Sequence, residues 1–137
     1  MTRSREKADP PSMDTVGGYT LQAVGVCWDA IRVPRSAGVR ALELLGPRNG
    51  AVIEDPHEPA LYWFVPTGTA DSWDIAGTRP LGLAQHLVVP PSGRVQGPGP
   101  HWRIGPADGA LFTDADALRA AVRDAMAPLR APLKETT

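Results

Sequence analysis

The sequence has 137 residues, 42% of them hydrophobic and 21% charged, which supplies one core for one domain. A formal net charge of -1 excludes a dedicated non-specific DNA coater, because phosphate neutralisation demands a basic excess. No stretch approaches the ~20 apolar residues of a membrane span, so no membrane role is expected. The single cysteine, Cys27, excludes an internal disulfide and points to a reducing compartment, the cytoplasm.

Residues 1–18 are polar, carry Pro10-Pro11 and Gly17-Gly18, and read as a disordered tail without the apolar run of a signal peptide. One domain is expected over residues 19–130, with a frayed C-terminus at 131–137. Val24, Val26, Trp28 and Ala30 alternate into a first strand that Pro34 ends, and a phase change near Ala30 suits a bulge. Cys27 lies within that strand and reads as a small buried hydrophobe. Ser36 is placed to cap a helix running to Leu45, with Gly46-Pro47 as its stop and Val39, Leu42 and Leu45 on one stripe.

Residues 51–54 and 61–65 read as two strands joined by the turn Asp55-Pro56-His57-Glu58-Pro59, hence a hairpin. A mixed loop follows, with Trp73 and Ile75 as anchors. Residues 85–89 form the next strand and lead into a Gly/Pro loop over residues 90–100, which suits neither helix nor central strand. Residues 101–104 return as a short strand. Thr113 and Asp116 imitate a capping box before Ala117, Leu118, Ala121, Val122, Ala125 and Met126, and Pro128 closes that final helix. The order predicts an α+β fold, a mixed or antiparallel sheet of about five strands with two helices packed on it.

Three blocks carry a resemblance. The first is Trp28-Asp29-Ala30-Ile31-Arg32-Val33-Pro34 with Ser36-Ala37-Gly38 and an Ala-Leu-Glu-Leu-Leu helix. The second is Leu61-Tyr62-Trp63-Phe64-Val65-Pro66. The third runs Leu87-Val88-Val89-Pro90-Pro91-Ser92-Gly93-Arg94, then Gly97 and His101-Trp102. In this order they resemble the N-terminal domain of bifunctional DNA primase/polymerases, the prim-pol branch of the archaeo-eukaryotic primase superfamily. The resemblance implies nucleotidyl transfer with two Mg²⁺ or Mn²⁺ ions clamped by paired carboxylates. It implies an Asp-x-Asp on the first strand, a histidine on the hairpin and a further Asp before the third block. This chain offers Asp29 followed by Ile31 and Arg32, has His57 only in the preceding turn, and has Asp74 upstream of the matching place near Thr78. The resemblance therefore implies a short, catalytically degenerate member with no metal and no cofactor. It also implies a module ahead of the first block, for which this chain has a short tail: either a minimal form or a remnant completed in trans.

Asp29 reads either as a surviving metal ligand or general base, or as an edge-strand Asp paired with Arg32. The cluster Glu54, Asp55, His57 and Glu58 holds metal-type ligands but sits where a hairpin turn selects them for backbone reasons. Arg94, His101 and Arg103 flank the Gly/Pro loop, with Trp102 beside them for base stacking. They form the candidate nucleotide-binding group, against the alternative of a solvated loop with Trp102 in the core. The expected function is a nucleotide or single-stranded nucleic-acid binding or regulatory module. The alternatives are a protein-docking module and, third, an active enzyme using Asp29, Asp74 and His57.

Overall fold

Alternation and helical periodicity sort the chain into strands and helices in the computed structural model, which describes residues 15–16 and 18–127. The strands are β1 (Thr15–Val16), β2 (Tyr19–Val24), β3 (Asp29–Pro34), β4 (Val52–Asp55), β5 (Ala60–Val65), β6 (Arg79–Leu81), β7 (Gln85–Val89) and β8 (His101–Ile104). The helices are α1 (Arg35–Leu45) and α2 (Ala115–Met126). Five strands make one antiparallel sheet in the order β6-β3-β5-β4-β8. The others make a second antiparallel sheet, β1-β2-β7. The protein is thus α+β, with the expected five-stranded sheet and two helices, plus a second sheet.

The hairpin forms as β4-β5, with Asp55 opposite Ala60. The expected bulged first strand is instead two strands in different sheets, β2 and β3, separated by a turn. Gly25 adopts φ +96° there, and its N–H donates to the Trp28 carbonyl at 2.7 Å. A Cβ on Gly25 would lie 2.4 Å from the Leu83 backbone nitrogen, so the turn needs glycine both for conformation and for space. The apparent phase change near Ala30 falls inside β3, where Ala30 packs on one face and Ile31 and Val33 on the other. Cys27 sits at the turn and is exposed, a correction to its reading as a buried residue.

All six residues of β5 are buried, as expected of a strand covered on both sides. Leu61, Trp63 and Val65 join Ile31, Val33 and Val52 beneath the helices, against Ala37, Ala41, Leu45, Leu118 and Val122. A Cβ on Gly38 would touch Leu61 at 3.2 Å, which shows how closely α1 approaches the sheet. On the other face Ala30, Ile53, Tyr62, Phe64 and Trp102 pack with Val24, Trp28, Leu81 and Leu87. Trp73 anchors its loop in the helix-side core, with Ile75 packed against it.

Both helix starts differ from expectation. α1 follows β3 directly, with Pro34 at the N-cap and no side-chain cap, so Ser36 does not cap it. The Arg35 N–H donates instead to the Pro59 carbonyl at 2.8 Å, tying the helix start to the hairpin. α2 is capped by Asp114, whose carboxylate accepts from the Ala117 N–H at 2.9 Å. Thr113 is fully buried, and its hydroxyl oxygen accepts from the Gly50 N–H at 2.7 Å, stitching the approach to β4 onto the approach to α2.

β1 falls inside the stretch read as a disordered tail: Thr15 pairs with Thr20 and Val16 with Tyr19. The rest of that tail, apart from Gly18, lies outside the described residues, as do the Pro128 stop and the frayed C-terminus at 131–137. Among the described residues no helix is long and apolar enough to cross a membrane.

Candidate functional site

Strand alternation puts Arg32 on the face of β3 opposite Ile31 and Val33, away from the helices. Register then aligns a row across the sheet: Arg79 on β6 faces Arg32 on β3, Arg32 faces Tyr62 on β5, and Tyr62 faces Ile53 on β4. Above this row the second sheet leaves a cleft of about 370 Å³ whose wall includes Leu21, Gln85, His86 and Leu87. That volume lies within the range of small-molecule sites. Gln85 is held by its own turn, its side-chain oxygen accepting from the Gly82 N–H at 2.8 Å.

The row itself is cationic, while Asp55 and Glu58 also line the cleft. Like charges directly opposite one another on neighbouring strands are destabilising, yet Arg79 and Arg32 hold these positions. Arg32 donates to the Glu58 carbonyl at 3.2 Å and to its carboxylate at 3.3 Å. The Glu58 side chain is 61% exposed, so this pair is worth at most about 1 kcal/mol. Arg79 makes no ion pair among the described residues. Burial pushes the Tyr62 phenol above its ordinary pKa, reinforced by Asp55 and Glu58 and opposed by Arg32. The phenol therefore stays protonated, and the cleft combines two guanidinium forks and a hydroxyl with Asp55 and Glu58 in its lining.

The residues singled out from sequence lie elsewhere and apart. Trp102 is buried against Phe64, with ring centroids 5.8 Å apart, and its indole N–H donates to the Pro90 and Pro91 carbonyls at 3.2 and 3.1 Å. It is a core residue that fastens the Gly/Pro loop. Its strand neighbours His101 and Arg103 meet Glu54. Arg103 donates to the Glu54 carboxylate at 2.8 Å, Arg35 does so at 2.7 Å, and the His101 Nε2 lies 3.6 Å away. Burial pushes the Glu54 carboxyl up, but the hydrogen bonds and charges of Arg35 and Arg103 outweigh it and hold the pKa below the usual value. Arg94 donates to the Pro98 carbonyl at 2.6 Å and lies over the Tyr19 ring at 5.6 Å. It borders a second, shallow cleft of about 410 Å³ with Tyr19, His57, Pro98, Gly99 and Pro100. Arg94, His101, Trp102 and Arg103 therefore do not converge on one pocket.

Asp29 is corrected on both counts of its structural reading. β3 is an interior strand, between β6 and β5, and Arg32 turns to Glu58. The Asp29 carboxylate is 3% exposed as a residue and accepts from the Gly68 and Ala70 N–H groups, each at 2.9 Å. It organises the loop after β5. Ile31 lies sealed beneath the helices. Asp74 meets Arg123 and Arg119 of α2 at 3.3 and 3.5 Å, and His57 is exposed in the hairpin turn. Among the described residues no three His, Cys, Asp or Glu side chains are grouped to hold a metal ion.

Sequence reasoning missed Arg32, Arg79 and Tyr62 as a unit. A signal was present: an arginine in the middle of an otherwise buried strand needs a polar cavity to face. Compared with protein-family models, curated proteins and solved structures, the chain matches none.

Proposed function

We propose that the protein is a cytoplasmic binding module, a catalytically degenerate relative of prim-pol domains, that holds a nucleotide between its two sheets. The observation that carries this reading is the pair Arg79–Arg32, aligned across neighbouring strands on the floor of a cleft of about 370 Å³. Its guanidiniums take the phosphate, the Tyr62 hydroxyl adds a donor, and Leu21, Leu81 and Leu87 give the nucleoside an apolar wall. The non-catalytic part of the reading rests on Asp29, whose carboxylate is committed to two backbone amides, and on Ile31, where a second carboxylate would have to sit.

The test is a thermal-melt series with nucleoside mono- and triphosphates and with inorganic phosphate, each with and without Mn²⁺. Ligand at about a hundred times its dissociation constant adds ~2.7 kcal/mol, a rise of several degrees in a domain of this size. The expected result is a shift that Arg79→Ala removes. No shift with any nucleotide overturns the reading. A second reading, a protein-docking module, is favoured by Val26 and Leu83, which are 71% and 75% exposed on adjoining loops. It gains if nucleotides fail and a nuclease-insensitive partner is lost on Val26→Ser with Leu83→Ser.

A further inference from the structure

The two clefts adjoin. Pro100 lines both, and the hairpin turn supplies Glu58 to the first and His57, its chain neighbour, to the second. Their chemistry differs along this path. The first is polar, with Arg79, Arg32 and Tyr62 on its floor and Asp55 and Glu58 also in its lining. The second is walled by Tyr19, His57, Pro98 and Pro100, with Arg94 as its one charged group.

The shared wall is held from the second side. The Tyr19 hydroxyl donates to the Pro100 carbonyl at 2.7 Å, and Arg94 is fixed between the Pro98 carbonyl and the Tyr19 ring. A guanidinium already seated on an aromatic ring loses little freedom when a further planar group stacks beside it. Such a surface of prolines, an imidazole and an arginine-capped tyrosine accepts the face of a nucleobase and reads no particular base edge.

We infer that the two clefts form one path for a phosphodiester-linked dinucleotide, one nucleotide on Arg79 and Arg32 and the neighbouring base against Tyr19, His57 and Arg94. This rests on the nucleotide reading of the first cleft and sharpens it: the preferred ligand is a strand segment, not a free monomer. Glu58 stands at the junction, exposed and bonded to Arg32, and a bound phosphate replaces it there. Joining two weak sites through one backbone makes the second contact intramolecular, so affinity rises steeply with length from one unit to two.

The experiment is calorimetric titration of the full chain with a 5′-phosphorylated dinucleotide and with the corresponding mononucleotide, at fixed low salt. The dinucleotide is expected to bind at least tenfold tighter. His57→Ala is expected to bring it down to the mononucleotide's affinity. The His57 side chain is exposed and makes no hydrogen bond among the described residues, so this variant keeps the fold. Equal affinities, or a length-dependent gain that survives His57→Ala, overturn the inference while mononucleotide binding still stands. Absence of mononucleotide binding overturns the proposed function itself, and the shared path with it.

Discussion

The two faces of the five-stranded sheet have been put to opposite uses. Beneath the helices, Ile31, Val33, Leu61, Trp63 and Val65 close into a dry layer. The polar groups at its margins, Asp29, Glu54 and Thr113, are each bonded to a specific partner. On the other face the second sheet packs on Ala30, Phe64 and Tyr62 but leaves a cleft over Arg79 and Arg32. One face is satisfied internally. The other keeps two like charges on neighbouring strands, with Arg79 exposed, Arg32 paired to the exposed Glu58, and Asp55 in the same cleft. The lesson is that buried polar residues on the satisfied face report on stability, whereas charge left facing a cleft on the open face is where a ligand is to be tested.

That contrast can be broken most forcefully at Trp63. Trp63→Ala empties the centre of the helix-side layer and strands the Asn49 side chain, whose oxygen accepts from the Trp63 indole N–H at 3.0 Å. A loss of about 3–5 kcal/mol is expected in urea unfolding. Asp29→Ala should cost about 1.5–3 kcal/mol, since two backbone N–H groups lose a charged acceptor. Nucleotide affinity, measured well below the new melting midpoint, should not change. A loss of binding at equal foldedness would return Asp29 to the functional site.

Glu54→Gln sharpens the comparison through pH. The native pKa of Glu54 is depressed, so its stabilising contribution is fully present above the ordinary carboxylate pKa and is lost as pH falls through the depressed one. The wild type should therefore lose stability across the acid range more steeply than Glu54→Gln. At neutral pH the substitution should cost about 1–2 kcal/mol, limited because Arg35 and Arg103 keep contact with solvent. Parallel acid limbs in the two proteins would show that Glu54 is not the group responsible.

The smallest stability effect is expected at Arg79. Arg79→Ala should shift unfolding by no more than about 0.5 kcal/mol, because it removes a repulsion and no ion pair among the described residues. Yet it should abolish the ligand-induced melting shift. Were it to destabilise strongly, the open face would be structural after all.

Much of this was legible in the chain. The continuous apolar run in residues 60–65, the turn at 55–59 and the periodicity of residues 115–126 dictate β5, the hairpin and α2, since each signal is local. The failures were at positions whose partner is distant in sequence. Thr113 looked like a helix cap because a hydroxyl before a helix usually is one, and it serves Gly50 instead. Asp29 looked like an edge residue because nothing local reveals which strand lies in the middle of a sheet.

The candidate site shows the same division. The sequence by itself determined the α+β class and the apolar strands and helices that build it, because period and composition fix which side chains must leave water. Only the tertiary structure decided that residues 19–24 and 29–34 belong to different sheets, that Arg79 lies opposite Arg32, and that Arg103 belongs to Glu54. Those facts depend on strand order and register. Both are set by how two layers bury area against each other, and no short-range pattern encodes them.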